Sequence, residues 1–306
     1  MIQTVNGPIS VKELGVTMCH EHLAVDLSRV RKDQDSNFDD RELICDEIEK
    51  MKAFGVQSII EVSCNDMGRD VKTLRWYSNT CGIHIVASTG YYLEEYHSDF
   101  VRNSSPEELS EVFCKEITVG IDGTDIKAGI IGEVASGEPV MTESERKVLI
   151  AAALAGKRTK TAVTTHCQLG RLGLEQCELF HKYGMDPAKV ILGHVDLAND
   201  KAYYEELLKQ GVNLGFDTIG KTGYLSDEDR ADNLMWLIER GWMDRIVLSQ
   251  DISRKSYLSR YGKYAGYMTV MKNFVPMLKK RGIMQKDLDQ MLIYNPARIL
   301  EKENEE

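Results

Sequence analysis

The sequence has little that would break the chain into separate parts or cross-link it. Only 6 prolines occur in 306 residues, and no internal repeat, low-complexity tract or linker is visible. We therefore expect one domain over residues 1–306. The 7 cysteines are odd in number, scattered and never spaced as Cys-x-x-Cys. This pattern predicts reduced thiols that pack in the interior, because disulfide frameworks and zinc knuckles use paired cysteines.

Long apolar runs and a basic excess are also missing. No stretch approaches about 18 apolar residues, and residues 1–15 lack the basic start and apolar run of a signal peptide. We therefore expect a cytoplasmic protein that does not bind a membrane. The net charge of -10 repels polyanions, which argues against nucleic-acid binding. Disorder is expected only in the tail, residues 301–306.

Several catalytic motifs are absent. Gly-x-Ser-x-Gly does not occur, no cysteine and histidine form a convincing nucleophile pair, and neither a Walker loop nor a dinucleotide fingerprint is present. Covalent catalysis and nucleotide chemistry are therefore disfavoured.

What is present is an alternation of short apolar runs with longer amphipathic stretches. Eight candidate strands cover residues 15–20, 58–63, 83–89, 128–133, 162–166, 190–194, 212–217 and 245–251. Candidate helices include residues 41–54, 107–117, 143–155, 173–183, 201–210 and 227–239. This order predicts an α/β protein with a (β/α)8 TIM barrel, preceded by a β-hairpin that turns at Asn6-Gly7.

An open, doubly wound sheet is the alternative fold. Such a sheet usually carries a glycine-rich phosphate loop after its first strand. This chain has Cys19-His20-Glu21-His22 at that position, which favours the barrel.

The candidate chemistry lies at the ends of the strands, where barrel enzymes assemble their active sites. Residues two apart on a strand point the same way, so His20 and His22 can reach one cation. The same alternation turns Cys19, Cys167 and Glu21 away, and His84 and His181 are expected to be ordinary packed or surface residues. The predicted metal ligands at five strand ends are His20, His22, Glu133, His166, His194 and Asp251.

Four imidazoles and two carboxylates exceed what one catalytic zinc needs, since such a site uses about three protein ligands. Two divalent metal ions fit this count better, and Glu133 is the candidate bridge between them. Zinc is the expected metal because it suits histidine-rich sites, with manganese, cobalt and nickel as alternatives.

The pattern resembles the phosphotriesterase family of the amidohydrolase superfamily, most closely its branch of phosphotriesterase homology proteins. The resemblance extends over nearly the whole chain and rests on the segments TVNGPI (4–9), GVTMCHEHL (15–23), ASTGYY (87–92), GIIGE (129–133), TH (165–166), GHVD (193–196), FDTIG (216–220) and LSQD (248–251).

The resemblance implies a role for each predicted ligand. His20, His22 and Asp251 would hold a buried metal, and His166 and His194 a more exposed one. Glu133 would bridge them, where phosphotriesterase and related lactonases have a carboxylated lysine. Gln250 is a second departure, because many relatives have histidine there. A homodimer is also implied.

The resulting hypothesis is a binuclear metal-dependent hydrolase that attacks its substrate with a metal-bridging hydroxide. Asp251 would take the hydroxide proton and pass it to the leaving oxygen. A lactone or carboxylic ester is the first choice of substrate, with a phosphorylated sugar lactone as one anionic example. Phosphoester or phosphotriester hydrolysis is the alternative, and a catalytically silent metal- or ligand-binding barrel is a further one.

Two groups of loop residues are candidates for binding a small-molecule substrate. A positive cluster follows strands seven and eight, where many barrels bind phosphate groups; it consists of Lys221, Arg254, Lys255, Arg260 and Lys263. After strand three, Tyr91, Tyr92 and His97 could form a wall of the pocket, although packing is an equally good interpretation of the tyrosines.

Overall fold

The predicted barrel is confirmed by the computed structural model, which describes residues 1–302. Residues 303–306, most of the tail predicted to be disordered, lie outside the described part of the chain. Eight parallel strands follow one another around the sheet in chain order. They are β3 (Thr17–Glu21), β4 (Ser58–Glu61), β5 (His84–Thr89), β6 (Ile130–Ser136), β7 (Val163–Cys167), β8 (Val190–Gly193), β9 (Asn213–Phe216) and β10 (Ile246–Leu248).

The predicted N-terminal hairpin is also present. β1 (Ile2–Thr4) pairs antiparallel with β2 (Gly7–Ile9), with Ile2 opposite Ile9 and Thr4 opposite Gly7. The two turn residues are Val5 and Asn6, one position before the predicted Asn6-Gly7, and Gly7 begins β2 with a positive φ of +108°.

The first and last barrel strands meet through side-chain and backbone bonds. The Ser249 hydroxyl accepts a hydrogen bond from the His20 amide at 3.0 Å and lies 2.9 Å from the His20 carbonyl oxygen. The Asp251 amide donates to the same carbonyl at 3.2 Å. The loop after β10 is thus fixed directly against the strand that carries His20.

Helices connect the strands and cover the outside of the barrel. They are α1 (Ser28–Arg31), α2 (Arg41–Lys52), α3 (Val71–Cys81), α4 (Asp99–Asn103), α5 (Pro106–Thr118), α6 (Glu143–Thr159), α7 (Gly173–Tyr183), α8 (Lys201–Lys209), α9 (Asp227–Glu239), α10 (Val275–Lys280), α11 (Gln285–Asp289) and α12 (Asn295–Leu300). Two π-helical turns, Val270–Phe274 and Gln290–Tyr294, lead into α10 and α12. No helix within residues 1–302 is both long and apolar enough to cross a membrane.

Two apolar clusters form the core. The smaller one joins side chains from opposite strands, Ile60 with Ile191 and Ile130 with Val247, and it includes Ile2 of the hairpin and Ile299 of α12. Side chains of opposite strands can meet only inside the barrel, so this cluster fills its interior, and the hairpin and α12 close one end. The larger cluster lies between the strands and the surrounding helices. The polar residues at the C-terminal ends of the strands lie at the other, open end of the barrel.

Candidate metal centre and active-site cavity

The C-terminal strand ends bring six polar side chains together. They lie on or directly after β3, β6, β7, β8 and β10, as the pattern of strands predicts. They are His20, His22, Glu133, His166, His194 and Asp251, all buried except for the partly buried His166.

Glu133 lies at the centre of the four imidazoles. Its Oε1 is 3.3 Å from His22 Nε2, and its Oε2 is 3.4 Å from His20 Nε2. The same Oε2 is 3.0 Å from His166 Nδ1 and 3.5 Å from His194 Nε2. Two sets of three ligand atoms therefore share this carboxylate, one with His20 and His22 and the other with His166 and His194, and each set spans no more than 4.8 Å.

Each imidazole presents one ring nitrogen to Glu133 and the other to an outer group. The outer group is Asp217 for two of them, with His194 Nδ1 at 2.8 Å from Oδ1 and His20 Nδ1 at 3.3 Å from Oδ2. His22 Nδ1 contacts the Ser63 hydroxyl at 2.9 Å. Metal-ligating histidines are typically oriented by such outer partners, which fix the tautomer and the ring plane.

The outer contact of His166 comes from the loop that follows it. His166 Nε2 lies 3.2 Å from Gln168 Oε1, and the Tyr92 hydroxyl is 3.3 Å from the Nδ1 of the same ring. In all four rings, the nitrogen that points away from Glu133 therefore contacts a neighbouring side chain.

The donor set fits divalent cations. Both ring nitrogens of His20 and the Oδ2 of Asp217 are buried without a hydrogen-bond partner, a costly arrangement unless another group satisfies them. Nitrogen and carboxylate donors are those of zinc and related metals. Glu133, shared by both histidine sets, fits the bridging position of a binuclear site.

Neighbouring charges and burial shift the pKa values of several side chains in the cluster. Burial alone would raise the pKa of Glu133, but the imidazoles, His20 first among them, hold it well below its ordinary value. Burial alone would lower the pKa of His194, but Asp217 and Glu133 raise it to about 9. The pKa of His166 is lowered by its burial and by the neighbouring His194. The carboxylates are therefore ionised and attract positive charge.

Asp251 contacts a nitrogen atom of a neighbouring side chain with each of its oxygens. Oδ1 lies 3.2 Å from His22 Nε2, and Oδ2 forms a short ion pair with Lys221. Burial would raise the pKa of Asp251, but Lys221 and His22 hold it far below its ordinary value. Asp251 and His194 both have positive φ angles, +47° and +61°, an unusual backbone conformation that is common at functional sites.

Two glycines allow the strands to bring the ligands this close. A side chain at Gly132 would place its Cβ 1.9 Å from the Thr164 carbonyl oxygen, and one at Gly193 would meet the Thr165 carbonyl at 2.2 Å. Each glycine immediately precedes a predicted ligand, so the neighbouring strands can pack closely just before Glu133 and His194.

Glu21 is turned away from the centre, as the alternation along β3 predicts. Its Oε1 accepts hydrogen bonds from the Ser249 hydroxyl at 2.6 Å and from Gln250 Nε2 at 2.7 Å. Gln250 Oε1 in turn accepts from the Val270 amide at 3.0 Å. Gln250 thus connects β3 to the segment after β10 through its side chain.

Cys19, Cys167 and the remaining histidines also lie apart from the cluster, whereas the Cys64 thiol donates to the backbone carbonyl of Glu133 at 3.3 Å. Cys19 packs in the barrel interior, and Cys167 Sγ contacts Gln176 at 3.5 Å. All 7 cysteines are free, as predicted. The exposed His181 contacts the Gln210 carbonyl, and His84 begins β5.

A cavity of about 300 Å³ opens above the cluster. It contains three of the substrate-binding candidates, namely Tyr92, Lys221 and Arg254. The other candidates are not brought into its lining. Tyr91 packs against the Phe113 ring at 5.6 Å, and His97 is buried with its nitrogens bonded to the Ser144 hydroxyl at 2.7 Å and the Tyr92 carbonyl at 2.9 Å.

The positive cluster after β10 is used mainly for contacts between loops. Lys255 pairs with Asp39 at 2.5 Å, outside the cavity lining, and Arg254 pairs with Asp33 at 3.2 Å. The Lys255 amide also donates to the Asp35 carbonyl at 2.7 Å. The acidic loop after β3 therefore neutralises both cations. Arg260 and Lys263 are exposed residues outside the cavity lining.

Four residues that contact the site were not predicted from the sequence, namely Ser63, Gln168, Asp217 and Arg31. Asp217 ends the seventh predicted strand, so its position at a strand end could have identified it. Gln168 follows His166 by two residues, and Arg31 of α1 lines the cavity. No periodic pattern marks Arg31, because the loop after β3 is irregular.

Comparison with known proteins gives consistent matches over nearly the whole chain. The model of the phosphotriesterase family matches residues 1–300. The phosphotriesterase homology protein of Escherichia coli is 38% identical over 293 residues, covering 96% of this chain and 100% of that protein. Its crystal structure, with phosphate in the active site, has a TM-score of 0.92 and covers 94% of this chain and 99% of that one.

Two further relatives are named for the compounds that they hydrolyse. An N-acetyltaurine hydrolase of Xenopus tropicalis is 33% identical over 343 residues, 98% of this chain and 97% of that protein. A lactonase from Listeria monocytogenes has a TM-score of 0.94 at 26% identity and covers 99% of both chains. Because the family model, the E. coli relative and the barrel with its histidine and glutamate cluster all agree, this chain belongs to the phosphotriesterase family.

Proposed function

We propose that this protein hydrolyses lactones or carboxylic esters with the help of two divalent metal ions. The observation that carries the proposal is the convergence of four imidazoles on one carboxylate, Glu133, at the floor of the cavity. Membership of a family of metal-dependent hydrolases supports it. Zinc is the proposed metal, because imidazole and carboxylate donors suit it.

Each ligand has a proposed place. His20, His22 and Asp251 would hold the buried ion, and His166 and His194 would hold the one nearer to the cavity. Glu133 would bind both. His166 is the most exposed of the four histidines, with 12% of its side chain accessible, which supports its assignment to the outer ion.

The metal pair would activate a water molecule and polarise the reacting carbonyl or phosphoryl group. Asp251 would accept the proton of the attacking water and later donate it to the leaving oxygen. Its carboxylate borders the cavity and is ionised, so it can accept that proton. Lys221 orients Asp251 through the ion pair with Oδ2.

The first choice of substrate class rests on the cavity and on one relative. Leu169, Leu197 and Tyr224 give part of the cavity wall an apolar surface, which suits the carbon skeleton of a lactone or an ester. Tyr92, Lys221 and Arg254 are the proposed polar substrate-binding residues. The similarity to the Listeria lactonase over 99% of both chains supports this choice.

Phosphoester hydrolysis is the second candidate. It is favoured by the E. coli relative, whose structure holds phosphate in the active site. The N-acetyltaurine hydrolase indicates that an amide should be tested as well. The E. coli relative and the N-acetyltaurine hydrolase both suggest anionic substrates for the panel, since phosphate and the sulfonate of N-acetyltaurine carry negative charge.

The test combines metal analysis with a substrate panel. Protein purified without chelators is measured for metal per chain and then assayed on lactones, carboxylic esters, phosphoesters, phosphotriesters and N-acetyltaurine. About two metals per chain with fastest turnover of a lactone or ester is the expected result. Turnover of phosphoesters alone would show that phosphoesters, and not lactones or carboxylic esters, are the substrate class. Metal-loaded protein that hydrolyses no compound of the panel would favour a catalytically silent binding protein. No metal binding after reconstitution would overturn the binuclear centre.

A further inference from the structure

The cations that line the cavity differ in whether they already have a partner. Lys221 is paired with Asp251, and Arg254 is paired with Asp33 and Asp35. Arg31 is the third cationic side chain in the lining. Within residues 1–302, it is the one cavity arginine or lysine with no carboxylate oxygen within 4.0 Å.

The Arg31 guanidinium is also short of hydrogen-bond acceptors. Its Nη1 is buried and has no hydrogen-bond partner, although a buried N–H without an acceptor is costly. Burial alone would lower the pKa of Arg31, but Tyr92, Tyr96 and Asp251 raise it above its ordinary value. The side chain thus keeps its charge beside the cavity while part of its hydrogen-bonding capacity is unused.

The loop after β3 holds Arg31 in place. The loop folds back on itself, because the Leu27 amide donates to the Ser36 carbonyl and the Phe38 amide donates to the Val25 carbonyl, both at 2.9 Å. The contacts of Arg254 and Lys255 with the acidic residues of this loop fasten it from the β10 side. A guanidinium on an anchored loop loses little conformational freedom when it binds a ligand.

We infer that Arg31 binds an anionic oxygen group of the substrate, a carboxylate, phosphate or sulfonate, that is separate from the bond to be hydrolysed. The planar guanidinium donates two parallel hydrogen bonds to such groups. The inference rests on the proposed function and names its substrate class: hydrolysable compounds that carry a second, negatively charged group.

The barrel order gives the substrate an orientation. Arg31 follows β3, whereas the apolar Leu169 follows β7, four strands further around an eight-stranded sheet. The strands from which the two loops start, β3 and β7, therefore lie on opposite sides of the barrel. The anionic end of the substrate would lie under the β3 loop, and its apolar end would lie against the loops after β7 and β8.

A pair of lactones that differ by one carboxylate tests the inference. The γ-lactone of α-hydroxyglutarate carries the extra charge, and γ-butyrolactone lacks it. Metal-loaded wild type, R31M, R31K and the matched control R29M are compared. Arg29 is on the same helix, is exposed and does not line the cavity. Circular dichroism and metal content establish that each variant is folded and loaded.

The expected result is a selective loss. R31M should lower kcat/KM for the carboxylated lactone by about 10- to 100-fold, the value of a charge-assisted hydrogen bond, while γ-butyrolactone is hydrolysed as by wild type. R31K should recover part of the loss, and R29M should change neither substrate. Equal effects of R31M on both lactones, or on neither, would overturn the inference.

Binding of the two products separates this inference from the proposed function. If the wild type hydrolyses neither lactone, the proposed substrate class fails, and calorimetry with α-hydroxyglutarate and γ-hydroxybutyrate still tests Arg31. The wild type should bind the dianion more tightly, and R31M should lose that preference. Equal Kd ratios in wild type and R31M would overturn the role of Arg31 whatever the enzyme hydrolyses.

Discussion

At the scale of single residues, Asp217 orients two histidines of the cluster by contacting the ring nitrogens that point away from Glu133. Its Oδ1 accepts hydrogen bonds from both the Nδ1 and the amide of His194, each at 2.8 Å, and its Oδ2 faces His20. Burial would raise the pKa of Asp217, but His194 and His20 lower it far below its ordinary value. One ionised side chain therefore orients two rings that lie on different strands.

Replacing Asp217 with asparagine should weaken metal binding. D217N removes the charge that fixes the His20 and His194 rings, and we expect metal affinity to fall by about 10- to 100-fold. Competition with a chelator measures this affinity. D186N is the matched control, because Asp186 caps a helical turn through the Ala188 amide and lies outside the cavity. Unchanged affinity in folded D217N would contradict the role of Asp217.

Replacing Asp251 with asparagine separates chemistry from metal binding. The amide introduced by D251N would keep an oxygen facing His22 but could not accept a proton. We expect kcat to fall by about 100- to 10,000-fold, with a much smaller change in metal content. Turnover and elemental analysis on the same preparation provide the comparison. An unaffected rate would remove Asp251 from proton transfer.

At the scale of elements, a buried arginine on α9 joins the loops after β8 and β9. Arg230 Nε donates to Asp196 Oδ2 at 2.6 Å, and Nη2 donates to the Thr218 hydroxyl at 2.8 Å. Asp196 lies two residues after His194, and Thr218 directly follows Asp217. The ion pair therefore connects the packing of α9 with the positions of His194 and its outer partner Asp217.

Removal of this arginine should be strongly destabilising. R230M leaves Asp196 buried without its partner, and we expect the free energy of unfolding to fall by about 3–5 kcal/mol. Urea unfolding measures the loss, and R230M/D196N should recover part of it because the unpaired charge is gone. R240M is the control, since Arg240 stacks on Trp236 at the surface and should cost about 1 kcal/mol or less. A loss in R230M as small as in R240M would contradict the expectation.

At the scale of the whole molecule, buried carboxylates make stability depend on pH. Asp66 is partly buried next to the cavity-lining Met67, and both of its oxygens lie 3.0 Å from the Tyr92 amide. Burial raises the pKa of Asp66 to about 7, against about 3.9 in the unfolded chain. The folded state therefore holds this proton more tightly, so its contribution to stability is complete below about pH 4 and is lost as the pH rises through about 7.

Asparagine at position 66 should remove this pH dependence. Relative to wild type, D66N should gain about 2–4 kcal/mol in the free energy of unfolding between about pH 4 and pH 8. Denaturant unfolding at several pH values gives the difference, and effects of the metal ligands cancel because both proteins contain them. D46N, at an exposed site on α2, is the control. A constant difference across this range would contradict the raised pKa.

The barrel and the metal-ligand cluster could be predicted from the order of residues along the chain. Strand and helix periodicity is a local property, so all eight strands and the six proposed helices could be located to within a few residues. The candidate ligands could be proposed because parallel strands end at one edge, which brings His20, Glu133 and His194 together although they are far apart in the chain.

Which loop residues face the cavity could be learned only from the folded structure. Arg254 and Lys255 are adjacent in a positive cluster, yet one lines the cavity and the other pairs with Asp39 outside it. Arg31 could not be selected from the sequence, because no sequence pattern shows that its guanidinium lies beside the cavity without a carboxylate partner. Charge pairing between loops depends on how they fold against each other, and no periodic pattern along the chain encodes it.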